Sequence, residues 1–114
     1  MKLVDKKISL DELKKMSARI FGGLVKAVVD VKKEIMAVDA SMHADEESFL
    51  LQNGSQQDDL WGINLYPEYY GKVKFLEFDS MINIRPRQKN MSRNVDNPEV
   101  RKLIKEVIDG VVHE

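Results

Sequence analysis

The chain of 114 residues contains no cysteine, so it has neither disulfides nor thiolate metal sites. No apolar run approaches the roughly 20 residues needed to cross a bilayer, and Met1–Leu13 lacks the apolar core of a secretory signal. These absences make a cytoplasmic location, away from any membrane, the expectation. Charge of one sign is also missing overall: the net value is −1, which argues against a generic nucleic-acid coat. There is no glycine-rich phosphate cradle ending in Gly-Lys-Ser or Gly-Lys-Thr, and no serine on a glycine-flanked elbow. Repeats, low-complexity tracts and linkers are absent. What remains is 43% hydrophobic and 32% charged, a globular composition, and a length close to the commonest domain size. A single domain over residues 1–114 with one core is expected.

The near-neutral sum hides a segregation. Residues 34–71 hold eight acids and no lysine or arginine, and all eighteen basic residues lie in the flanks. Such a map can steer a charged ligand, pair internally, or join two copies of the chain as a homodimer.

Ser9 followed by Glu12 reads as a capping box, so a helix begins at Leu10. Leu10, Leu13, Met16, Ile20 and Phe21 form its apolar face, and Gly22-Gly23 its exit. At the other end Asp96 or Asn97 caps a helix with Pro98 in its first turn, and Val100, Leu103, Ile104, Val107, Ile108 and Val111 make one stripe. Between them the period falls towards 2 and β-branched residues gather. Strands are expected at 24–31, 34–40, 48–52, 60–66, 72–77 and 80–85, with residues 44–52 open to a short helix instead. Short connections favour antiparallel hairpins. The fold class is therefore α+β: an antiparallel meandering sheet of about five strands, flanked by N-terminal and C-terminal helices that bury their stripes on one face.

Alternation sets Trp61, Ile63 and Leu65 on one side of a strand, in the core, and Asn64 and Tyr66 on the other. In the last expected strand Asn83 and Arg85 oppose Ile82 and Ile84. If those strands are neighbours, Asn64, Asn83 and Arg85 form a polar patch. Met36, Met42, Met81 and Met91 read as gap fillers, and one of the paired tyrosines Tyr69 and Tyr70 is expected to border a pocket or a subunit contact.

The segment from Ile82 to Glu99 has no acid before Asp96 and carries Arg85, Arg87, Lys89 and Arg93. Arginine forks bind phosphate or carboxylate through paired hydrogen bonds, with Asn90, Ser92 and Asn94 to orient them, and the segment leads into a helix start that favours anions. Arg85 and Arg93 are expected at the centre of an anion site and Arg87 at its rim; the plain alternative is that the arginines tie the loop down on carbonyls or on the acidic middle. A second cluster, Asp39, His43, Asp45, Glu46 and Glu47, has imidazole and carboxylates without a diagnostic metal spacing. No metal or other cofactor is expected.

The run Leu60-Trp61-Gly62-Ile63-Asn64-Leu65-Tyr66-Pro67, together with Ile82-Asn83-Ile84-Arg85-Pro86 and Asn90-x-Ser92-Arg93-x-Val95, resembles a small family of uncharacterised prokaryotic proteins catalogued as a domain of unknown function. The resemblance covers nearly the whole chain. It implies no activity, but it directs attention to Asn83, Arg85, Ser92 and Arg93. The leading expectation is a non-enzymatic binding module for a phosphate- or carboxylate-bearing partner, an anionic small molecule, a nucleotide or RNA, held by Arg85, Arg87, Arg93, Asn83, Asn90, Ser92 and Asn64. The alternatives are a small metal-assisted hydrolase or nuclease built on His43 and nearby carboxylates, and a structural homodimer.

Overall fold

The structure, a computed structural model, describes residues 1–114. Five antiparallel strands form one sheet in the order β1 (Lys2–Val4), β4 (Ile35–Val38), β3 (Val25–Asp30), β5 (Leu60–Leu65) and β6 (Leu76–Glu77). β2 (Ile8–Ser9) and β7 (Val112–His113) make a separate parallel pair that ties the two ends of the chain together. The helices are α1 (Leu10–Ile20), α2 (His43–Gln52) and α3 (Pro98–Val111). No helix is long and apolar enough to cross a membrane.

Both terminal helices start where their caps dictate. Ser9 Oγ accepts the Glu12 amide at 3.1 Å, while the Glu12 carboxylate reaches Lys2 at 2.9 Å rather than closing the box. Asn97 Oδ1 accepts the Glu99 amide at 2.9 Å and Pro98 occupies the first turn. α1 buries Leu13 and Met16, but Ile20 and Phe21 at its end stay exposed. α3 buries Ile104, Val107, Ile108 and Val111. Leu103, expected in that stripe, is 43% exposed: it lies about 100° around the helix from Ile104, at the stripe's edge.

The sheet has two different faces. On one, Val4, Val25, Ala27, Val29, Met36, Val38, Trp61, Ile63 and Leu65 pack with the stripes of α1 and α3 in a core of 19 buried residues. On the other, Val28, Ala37, Leu50 and Leu60 form a cluster of only four under α2. Trp61 lies in the larger core, in phase with Ile63 and Leu65 as alternation requires.

Residues 48–52 are not a strand: α2 takes residues 43–52, the helical alternative for this stretch, with Leu50 turned inward. The expected strands at 72–77 and 80–85 also shrink. Residues 73–75 form a 3-10 turn before the two-residue β6, and 81–83 and 86–88 are 3-10 turns, the second closed by one isolated bridge, Arg85 to Asn90. Proline at 86 and side chains that bond their own backbone take these residues out of the ladder. Of the methionines read as gap fillers only Met36 is buried; Met42, Met81 and Met91 are 55%, 66% and 67% exposed.

Candidate functional site

The segment from Asp79 to Asn97 is built around two buried asparagines. Asn83 behaves as a one-residue substitute for a neighbouring strand: its Oδ1 accepts the Gly62 amide at 2.8 Å, and its Nδ2 donates to Gly62 O at 2.9 Å and Arg93 O at 3.0 Å. Position 62 has to be glycine, because a Cβ there would stand 2.5 Å from Ser80 Cβ. Asn90 Nδ2 faces the carbonyls of Asn83, Asn94 and Ser92 at 2.8, 2.8 and 3.1 Å, and its Oδ1 accepts the Asp96 amide at 2.8 Å. Ser92 Oγ donates to Asp96 at 2.8 Å. The motif residues thus satisfy one another's backbone groups in a loop that has no regular ladder.

The arginines are placed differently from one another. Arg85 is buried, stacks 4.1 Å from the Trp61 ring centroid and donates to the carbonyls of Gln57 and Leu60; only its Nε lacks an acceptor. Arg87 stays exposed and reaches Asp58, with Gln57 Oε1 at 3.1 Å. Arg93, also exposed, gives its Nε to Asp79 Oδ1 at 2.5 Å, and that bond raises the guanidinium's proton affinity. Asn64 and Asn83 bond different partners, Asn64 to Glu77 and Asp79 O and Asn83 to Gly62 and Arg93 O, while Arg85 is anchored at the start of β5 on the carbonyls of Gln57 and Leu60.

On the α2 side of β5 the sheet carries a row of polar groups outside the small apolar cluster. Register places Lys26 opposite Asn64 and Asn64 opposite Glu77. Asn64 Nδ2 donates to Glu77 Oε1 at 2.8 Å and to Asp79 O at 3.4 Å, while its buried Oδ1 has no donor. Tyr66 donates to the same Glu77 Oε1 at 2.9 Å. Burial, then this bond, raises the Tyr66 pKa. Glu77 is therefore an exposed carboxylate whose Oε1 is pinned by two side chains and whose Oε2 receives no protein donor. It opens on a cleft of about 320 Å3 lined by Tyr66, Tyr69, Lys74, Leu76 and Glu77. The two tyrosine rings lie 6.4 Å apart at 46°, with Lys74 Nζ 5.9 Å from the Tyr69 centroid. Tyr69, one of the paired tyrosines, borders this cleft; Tyr70 borders a different one.

Behind the row, α2 contributes His43 and Glu46. His43 Nε2 lies 2.7 Å from Ile63 O, to which it donates. Burial lowers its pKa against that bond and favours the neutral ring. Glu46 is fully buried, and burial pushes its pKa up to about 9 against the Ala40 backbone N–H and Lys26, which favour the charged form. Asp45 and Asp39 point elsewhere: Asp45 is exposed on α2, and Asp39 pairs with Arg19 at 3.3 Å. Nowhere do three His, Asp or Glu side chains come together as a metal-ligand set.

Of the residues around this cleft, the sequence singles out Asn64, Tyr66 and Tyr69 but not Lys74 or Glu77. The signal for Glu77 is its register opposite Asn64, and a two-residue strand leaves too little alternation to read it.

Fold and site together define a small α+β domain with a self-bonded loop and a polar cleft on one sheet face. The chain belongs to the family described as protein of unknown function DUF5674, whose model matches residues 2–111. Comparison with curated proteins and with solved structures gives no match.

Proposed function

We propose that the domain is a non-enzymatic binding module for a nucleotide, seated in the Tyr66–Tyr69–Lys74–Glu77 cleft. The observation that carries this reading is Glu77. A carboxylate held by Asn64 and Tyr66 on a sheet, with Oε2 open beside two tyrosine rings, suits an amino-bearing base edge. Tyrosine faces suit base stacking, which is worth about 1–3 kcal/mol per base. Lys74 in the cleft supplies charge for phosphate, and Arg93, exposed and bonded to Asp79 two residues along from Glu77, adds to it. This reading gives Arg93 an anion role, with Asn64 positioning Glu77 and with Asn83, Asn90 and Ser92 shaping the loop that presents it. Arg85 and Arg87 support the loop from its far side.

Titrations of AMP, CMP, GMP, UMP and inorganic phosphate, followed by amide chemical shifts, test the reading. CMP, GMP and AMP should bind more tightly than UMP, and Glu77→Gln should remove that preference. Arg93→Ala together with Lys74→Ala should erase the advantage of GMP over guanosine, and either change alone should reduce it. Short oligoribonucleotides distinguish a polymer ligand from a mononucleotide through a log–log salt slope of about −0.7 per phosphate contact. Nucleotide binding unaffected by Glu77→Gln, or no binding at millimolar concentration, would overturn it.

A further inference from the structure

The same segment that walls the polar cleft borders a second cavity on its other side. This one is larger, about 600 Å3, and lies between Tyr70–Val73, the residues around β6 and the outer surface of α3 and β7. Tyr70, Phe75, Leu76, Phe78, Ile108 and Val112 give it an apolar floor. Tyr70 and Phe75 meet edge to face at 5.2 Å and 88°, a rigid aromatic wall. At the mouth stand Lys72 and Lys105, with Asp109 as the single acid, and Lys7 Nζ donates to the neighbouring Gly110 carbonyl at 3.2 Å. Val73, between Lys72 and Lys74, is 97% exposed, and nothing in the fold uses its side chain. The volume falls within the range of small-molecule sites, about 300–1,000 Å3. An apolar floor with an excess of cations at the rim selects for a matching shape: apolar body inward, negative head outward.

We infer that the cavity between the Tyr70–Val73 loop and α3 is a binding site for a soluble amphiphile, an acyl chain or ring system carrying one carboxylate or phosphate that Lys72 and Lys105 receive. The site is separate from the polar cleft and uses different charged residues.

Monomeric dodecanoate is the probe, with dodecanol as its neutral counterpart, and binding is read from the amide shifts of Ile108, Asp109 and Val112 in the full chain. Dodecanoate should saturate those shifts, and dodecanol should bind at least tenfold more weakly. Lys72→Glu with Lys105→Glu should weaken dodecanoate at least tenfold. Asp109→Asn should strengthen it, and Lys102→Glu, on the same exposed helix but off the cavity lining, should change it less than twofold. These positions are all on the surface, so the variants are expected to fold, and an unchanged thermal midpoint verifies it. No saturable shift, equal effects of the Lys102 and the Lys72/Lys105 variants, or capture by phosphatidylglycerol vesicles without binding of monomeric dodecanoate would overturn the inference. GMP titrated into the same variants should behave as in the parent chain, which separates failure here from failure of the nucleotide reading.

Discussion

Arg85 and Glu46 show how much one buried side chain decides. Arg85 is buried, burial lowers its proton affinity, and its compensation is the stack on Trp61 plus the backbone carbonyls of Gln57 and Leu60. Lysine keeps the charge without the planar fork, so Arg85→Lys should leave at least one carbonyl unpaired. The expected cost is about 2–3 kcal/mol, seen as a lower urea midpoint with unchanged slope; an unchanged midpoint would remove Arg85 from the framework. Glu46 acts in the opposite sense. Its folded pKa is raised to about 9 from an ordinary 4.5, so between these values the native state binds more protons than the unfolded chain. Its contribution is most favourable below pH 4.5, declines as pH rises, and levels off above about pH 9. Glu46→Gln keeps the shape and removes the titration. The variant should gain stability over the parent from pH 5 to pH 9, by at most about 3 kcal/mol at pH 7. Burial dominates this shift and outweighs the Ala40 backbone N–H, Lys26 and the N-terminal ammonium, all of which favour the charged form. His43, held neutral by burial, costs stability only as pH falls below its ordinary 6.5, and both proteins share that loss. Parallel pH profiles for parent and variant would show that Glu46 titrates normally.

At the scale of elements, legibility follows the number of repeats a pattern has. α3 runs 14 residues with a cap, a first-turn proline and four buried positions, so one stripe fixes it. Its register is less legible at the margin, where Leu103 and Ile104 differ by one position and by 43% against 0% exposure. Ile104→Ala should therefore cost about 2–5 kcal/mol and Leu103→Ala under about 1, measured as denaturation midpoints. Equal costs would mean the helix is turned differently. β3 and β5, six residues each, alternate long enough to show both faces. Helix α2 was ambiguous because its ten residues have no side-chain cap and bury a histidine and a glutamate beside one leucine, which is a weak apolar signal. In the Asp79–Asn97 loop the residues singled out as ligand-binding, Asn83, Arg85, Asn90 and Ser92, all engage partners within the chain itself. Spacing alone cannot say whether an asparagine's amide will bond a ligand or its own chain, and here Asn83 completes the free edge of β5 at Gly62.

For the whole molecule, the charge segregation closes on itself in part. Asp39 meets Arg19 and Asp58 meets Arg87 within one chain, using some of the complementarity that the sequence offers to a homodimer. The two sheet faces then set the order in which the structure opens. Nineteen buried residues hold α1 and α3 to one face, and four hold α2 to the other. Hydrophobic stabilisation scales with apolar area removed from water, so by this measure α2 is the most weakly held of the three helices. It also carries a fully buried carboxyl that must be ionised or protonated at a cost as pH changes. Opening of α2 exposes Glu46, and the ionised form is then paid for by water. Native-state hydrogen exchange should accordingly find α2 amides opening at a lower free energy than those of α3, β3 and β5 at pH 7. Raising the pH towards 9 should lower the α2 opening energy selectively once intrinsic exchange rates are divided out, and Glu46→Gln should abolish that selective loss. Uniform protection across α2 and α3, or a pH response shared by all elements, would mean that both faces open together and that the small cluster under α2 is as firmly held as the large core.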